Sequence, residues 1–237
     1  MSNLVRILLA AVIIILVVNY DLARSEELPA NAKLYLPKLK KVIDSTWPNI
    51  SPKSTFAGQI EQETCISLKH KKCWSPYAEL NTSREYGFGL GQITIAYDSS
   101  GKERFNNFLD VKKIDKRLEK WEWKDRYNPE YQLIALVAKD KYTYNLIKFK
   151  VANDYEKLAF MLAAYNGGLG GVIKDRQICE KTPGCNVAYW FNNVEKTSYK
   201  AKIAVAGYGK SFFEINREYV RNILKLRRMK YIPYLGS

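Results

Sequence analysis

The chain has 237 residues, and 38 basic against 24 acidic side chains give it a formal charge of +14 with a single histidine. One histidine, His70 in the very polar run Lys69-His70-Lys71-Lys72, excludes a His-rich zinc site and leaves poor ground for a Ser-His-Asp or Cys-His triad. With 47% hydrophobic and 13% aromatic residues the chain can build one core, so it is not a disordered tail, and its charge points to a polyanionic partner: nucleic acid, an anionic membrane or an acidic wall polymer.

In chain order, the first predicted element is an apolar run from Ile7 to Val18, twelve residues long, preceded by Arg6. Its length suits the core of a signal peptide; counted from Leu4 to Ala23 it suits a span with Asn19, Tyr20 and Asp21 at the interface. No small-x-small cleavage site follows, so residues 1–30 are expected to be a signal peptide or signal anchor with a short linker, the low-complexity part running from Ser25 to Lys33. Residues 31–237 form the exported body. Residues 1–30 hold two basic and three acidic side chains, so the body carries 36 minus 21, or +15. The expected location is the periplasm or cell envelope, membrane-anchored at the amino terminus or secreted if the leader is cleaved. An anionic membrane surface near that segment is one expected partner, and nucleic acid is not, because the lysines are scattered without an aromatic platform.

Helical periodicity dominates the exported body. Leu36, Leu39, Ile43 and Trp47 mark a short amphipathic helix closed by Pro48. Ser51-Pro52 reads as an N-cap and first-turn proline of a second helix, on which Phe56, Ile60 and Glu63 fall at i, i+4 and i+7. Residues 66–86 are polar and read as a loop, and Gly87-Phe88-Gly89-Leu90-Gly91 is a glycine-dense segment. Asn128-Pro129-Glu130 caps a helix to about Ile147, and Asn153 caps another that ends at Asn166-Gly167-Gly168 with Leu158, Met161, Leu162 and Tyr165 on its apolar face. A last helix follows Phe212, with Tyr219, Val220 and Ile223 inward and Arg217, Arg221, Lys225, Arg227 and Arg228 around it. Four cysteines fall in two local pairs, Cys65 with Cys73 and Cys179 with Cys185. Disulfides fit an oxidising compartment better than zinc does, local pairing being the simplest of three connectivities.

Four short motifs then stand in a telling order: Gln62-Glu63-Thr64, Gly87 to Thr94, Ala164-Tyr165-Asn166-Gly167-Gly168, and Glu218-Tyr219-Val220. Together they resemble the soluble-lytic-transglycosylase type of domain in the lysozyme superfamily. The resemblance covers residues 34–226 and implies a mostly α, lysozyme-like helical domain with a substrate cleft. It implies cleavage of the β-1,4 bond between N-acetylmuramic acid and N-acetylglucosamine in peptidoglycan glycan strands, by a monomer without metal or cofactor.

On that reading Glu63 is the catalytic acid, and two local features suit it. It continues the Phe56 and Ile60 face, where desolvation raises a carboxyl pKa above the usual value of roughly 4.3, and it lies near a helix C-terminus, whose dipole disfavours the anion. Glu61, the nearest rival, falls on another face. Gln92, Tyr165, Asn166, Tyr219 and Gly89 are the implied substrate-binding residues, with Gly87, Gly89 and Gly91 letting the backbone approach the glycan. Thr94 stands where the similar goose-type lysozymes carry an aspartate, which favours the non-hydrolytic route with one glutamate and a 1,6-anhydromuramic product. Glu79 and Glu85 lie between the motifs and keep a hydrolytic muramidase open. Gly91 replaces the family's usual methionine, and the spacing from Glu63 to Gly89 is long; the excess, with Cys65, Cys73 and Lys69 to Lys72, is expected as a stapled loop at the cleft rim. The alternative class is an inactive, membrane-tethered wall-binding component of a secretion or phage assembly.

Overall fold

The computed structural model describes residues 28–200, 202–205 and 209–236. The apolar leader lies outside these residues. Among the described residues no helix is long and apolar enough to cross a membrane.

The chain is mostly helical, with one small antiparallel sheet. Helix α1 spans Ala30–Thr46 and buries Ala32, Tyr35, Leu36, Leu39, Val42 and Ile43, the three-to-four spacing of an amphipathic stripe. It starts earlier than the leucine periodicity indicates, so the linker expected up to Lys33 ends inside a packed helix. Helix α2, Ser54–Thr64, is buried along most of its length. Ser51-Pro52 does not cap it: those residues are joined by a cis peptide bond and precede Lys53, the N-cap, whose side chain makes no capping hydrogen bond.

The polar stretch expected as loop, residues 66–86, holds the first strand of a sheet and the start of its second. Strands β1 (Glu79–Asn81), β2 (Glu85–Phe88), β3 (Ile93–Tyr97) and β4 (Glu103–Asn106) pair in sequence order, each antiparallel to the next. Thr82 closes the first hairpin by accepting the N–H groups of Arg84 and Glu85 on its hydroxyl. These strands carry little apolar alternation, because β1 and β4 are largely exposed edges held by backbone pairing.

Helix α3 (Asn107–Ile114) leads through two 3₁₀ turns to α4 (Pro129–Leu146), capped by Asn128 as its sequence indicates. Helix α5 (Asp154–Gly167) is capped by Asn153, whose side chain accepts the N–H of Glu156, and α6 (Leu169–Glu180) follows at once. Helix α7 (Phe212–Arg221) opens with a capping box between Ser211 and Glu214 and continues as a π-helical turn (Asn222–Leu226), a 3₁₀ segment (Arg227–Tyr231) and the short α8 (Ile232–Leu235). That C-terminal segment packs on α2 so closely that a Cβ on Gly58 would lie 2.8 Å from the Arg228 backbone nitrogen. One core of Leu, Ile, Phe and Trp side chains runs through the helices and reaches the sheet at Phe88, Leu90 and Ile93.

Disulfides join Cys65 to Cys73 and Cys179 to Cys185. Arg217, expected on the polar side of the last helix, is buried. Its guanidinium bonds Asp175 at 2.6 Å and the carbonyls of Thr197 and Glu195 at 2.5 and 3.0 Å, partners brought by distant segments that no helical period reveals.

Candidate active site

A cleft with a volume of about 440 Å³, ordinary for a ligand site, opens between the end of α2, the sheet, α4 and α5. Its walls come largely from the sequence motifs and their near neighbours. Glu63 projects from the last turn of α2, half-buried, and accepts the Tyr219 hydroxyl of α7 on Oε1 at 2.5 Å. Burial pushes its carboxyl up to about 7; the Tyr219 bond and the charge of Lys139 oppose the rise, and Glu85 adds to it.

Tyr165 and Tyr219 stack nearly parallel, 6.4 Å between centroids. The Tyr165 hydroxyl donates to the Gly91 carbonyl at 2.6 Å, tying α5 to the glycine segment. Asn166 lines the cleft, and its Oδ1 accepts from Asn216 at 3.0 Å, leaving its amide N–H groups for a ligand. Gln92 has a positive φ of 42°, an uncommon conformation for a residue with a side chain, and its Nε2 donates to the carbonyls of Ala78 and Gly89 at 3.0 Å each. Both amide hydrogens are thus committed to the fold, and the group it can offer a ligand is its acceptor oxygen.

Gly89 has a different role from the one expected of it. It is not among the cleft-lining residues, and a Cβ there would fall 2.3 Å from the Gln132 side chain. Gln132 is fully buried on α4, accepts the Leu90 N–H and donates to the carbonyls of Pro76 and Arg126. The glycine makes room for this internal clasp, with φ +76°. Gly91 likewise faces Tyr165 and Leu136, while Gly87 does line the cleft.

Sequence reasoning missed Lys139 and the buried polar groups behind Glu63. Lys139 lines the cleft with its ammonium 4.4 Å from the Tyr165 ring centre, and burial lowers its pKa to about 8. Its neighbour Asp140 is fully buried and pushed up to about 8 by desolvation, and Gln59 reaches its carboxyl with a long 3.4 Å bond. Thr55, Gln59 and Glu63 stand at i, i+4 and i+8 on α2, so one polar stripe runs from the interior to the carboxyl. The stripe's spacing is visible in the sequence; that α4 would set a lysine and an aspartate against it is not.

Of the other carboxylates near the cleft, Glu79 accepts the hydroxyls of Tyr86 and Tyr127, whose bonds hold it below the usual carboxylate range. Glu85 lines the cleft on β2. At the rim stand Cys65, Ile66 and Lys72, the last donating to the Glu79 carbonyl at 3.0 Å. Thr94 also lines the cleft and donates to the Gln92 carbonyl. Among the described residues no group of three or more His, Cys, Asp and Glu side chains is placed to hold a metal ion.

Comparison with known protein families and with curated proteins finds no match to this chain.

Proposed function

We propose that the cleft cuts peptidoglycan glycan strands between N-acetylmuramic acid and N-acetylglucosamine, as a lytic transglycosylase of the lysozyme-like type acting in the cell envelope. The observation that carries the reading is Glu63: a carboxyl in a cleft wall, desolvated enough to stay protonated near neutral pH, with one oxygen fixed by a tyrosine. In the first half of the reaction Glu63 gives its proton to the bridging oxygen as the bond to the muramic C1 breaks, and the substrate's N-acetyl oxygen stabilises the positive charge at C1. Glu63, now a carboxylate, removes the proton from the muramic 6-hydroxyl, which closes on C1 and forms the 1,6-anhydro ring. Tyr219 holds the carboxylate between the two transfers, and Lys139 lowers the cost of its charge. Gln92 offers an acceptor and Asn166 a donor to the sugars.

A hydrolytic muramidase is the second reading, favoured by one observation: Glu85 lines the same cleft and can hold a water. Digestion of purified sacculi with mass analysis of the released muropeptides separates the readings. Anhydro ends, lost in Glu63→Gln and kept in Glu85→Gln, are expected. Reducing ends that vanish with Glu85→Gln establish the muramidase, and no release by the wild-type protein overturns both in favour of an inactive wall-binding module.

A further inference from the structure

The sheet has two faces, and the cleft uses one of them. Side chains alternate along a strand, and the register sets Leu80, Gly87 and Thr94 in one row across β1, β2 and β3; all three line the cleft. The next row, Asn81, Tyr86 and Ile95, turns to the opposite side. There it borders a second hollow, completed by Tyr97 and by Trp123 and Arg126 from the connection before α4. Glu79, on the edge strand, borders both.

This hollow is built as a rigid aromatic surface with polar groups at its margin. Trp123 stands edge-on to Phe88 and Phe108 at 5.5 and 5.4 Å, yet keeps 42% of its surface exposed. The core beneath it is already closed by Phe88, Phe108 and Trp121, so the exposed ring is not needed to seal it. The Arg126 guanidinium sits over Trp123 and Tyr127 at 4.9 and 4.3 Å and donates to the Tyr127 hydroxyl, which fixes the rings at small entropic cost on binding. Glu79 receives the Tyr86 and Tyr127 hydroxyls on Oε1, which leaves Oε2 to accept from other donors. Flat rings that take the C–H faces of a sugar, flanked by a carboxylate, a guanidinium and an amide that take its hydroxyl and acetamido groups, make a site for a polyhydroxylated ring.

We propose that the reverse face of the sheet is a second, non-catalytic binding site for an amino-sugar oligomer. Trp123 and Tyr97 take the faces of adjacent sugars, and Glu79, Arg126 and Asn81 bind their polar edges. That the oligomer in nature is a wall glycan rests on the function proposed above. Two sites sharing the Glu79 edge would hold the enzyme on an insoluble polymer between cuts, since a strand leaving one is presented to the other at high effective concentration.

The test is calorimetric titration of the full-length Glu63→Gln protein, which binds without cutting, with chitohexaose. Two sites per chain are expected. Adding Trp123→Ala removes one of them, and adding Tyr97→Ala, which leaves the Trp123 packing intact, weakens that same site by roughly tenfold, about the loss of one well-placed ring contact. A single site with unchanged affinity in both variants, each melting as the parent does, overturns the inference. Its failure is distinct from failure of the proposed function: sacculus cleavage with only one binding site defeats the second site alone, whereas Trp123-dependent binding by a protein that releases no muropeptides leaves the second site standing without the enzyme.

Discussion

Glu61 and Glu63 leave the same helix two residues apart and reach opposite sides of it. Glu61 turns to the C-terminal segment, is 1% exposed, and is surrounded by Arg227 at 2.8 Å, Lys230 at 3.0 Å and the Tyr231 hydroxyl at 2.6 Å. Glu63 turns to the cleft, where the Tyr219 hydroxyl reaches it and the Lys139 ammonium lies near enough to act on its charge. Each has lost water, but Glu61 receives two cations in direct contact and Glu63 feels its cation from a distance. A buried carboxylate compensated by contact ties elements together; one left undercompensated holds a proton at a pH where an ordinary glutamate has lost it. The same contrast runs through the basic tail. Of nine basic residues after Tyr199, five (Lys210, Arg217, Arg221, Arg227 and Lys230) form ion pairs with carboxylates of the fold, so much of the charge that suggests an acidic partner also fastens the chain to itself.

The largest effect is expected at Glu63 itself. Glu63→Gln keeps the shape and the Tyr219 contact but has no proton to give, and muropeptide release is expected to fall by at least about 10³-fold, within the range for loss of a general acid. A variant with a tenth or more of wild-type activity would move the chemistry to another residue. Glu61→Gln should do the reverse. It strands Arg227 and Lys230 against a neutral amide and costs about 3 kcal/mol of stability, measured by denaturant unfolding, while the folded fraction keeps wild-type activity to within about threefold. If Glu61→Gln instead lowers turnover with stability unchanged, the division between the two sides of α2 is wrong.

Parts of this contrast are legible in the sequence. Phe56, Ile60 and Glu63 lie on one helical period, so a carboxyl at the end of an apolar stripe is visible from spacing alone, and the Asn128 and Asn153 caps follow from local chemistry. The sheet is hidden because its edge strands carry Glu79, Asn81, Glu103 and Arg104, where backbone pairing decides the conformation and side-chain alternation does not. The glycine segment can be located but its purpose cannot, since only the fold shows Gln132 filling the space that Gly89 leaves. Lys139 and Asp140 are out of reach for a related reason. They end the apolar run Leu133–Ala138, and nothing within α4 tells which of its faces meets the Thr55, Gln59 and Glu63 stripe.

Asp140 is a buried carboxyl with still less compensation than Glu63. Its pKa in the fold, about 8, lies above the unfolded value of roughly 3.9. Its favourable contribution is therefore fully present below about pH 4 and is lost as pH rises through about 8, beyond which the fold must carry a buried anion. Asp140→Asn removes that burden. Relative to wild type it should gain stability across this window, from nearly nothing at pH 4 to a plateau of about 5 kcal/mol above pH 8. Chemical unfolding at pH 4, 7 and 9 measures it, and a difference independent of pH would show that Asp140 has the same pKa in the fold as in the unfolded chain.

The smallest expected effects concern the neighbours that set the Glu63 pKa, and their value lies in opposite signs. Activity needs Glu63 protonated, so kcat/KM should decline as pH rises through about 7, the alkaline limb reporting the free enzyme's acid. The Tyr219 hydroxyl and the Lys139 ammonium both favour the carboxylate, and Glu85 disfavours it. Tyr219→Phe and Lys139→Met should therefore move the limb to higher pH, the tyrosine more than the lysine, and Glu85→Gln should move it to lower pH by the least of the three. The limb's position carries the information, since each change also lowers the maximum if the group touches sugar. Were all three to shift the limb the same way, a general loosening of the cleft would account for them, and the pKa would be set by burial alone. Opposed shifts with the melting temperature held nearly constant would show that α4, α7 and β2 each tune a proton carried by α2.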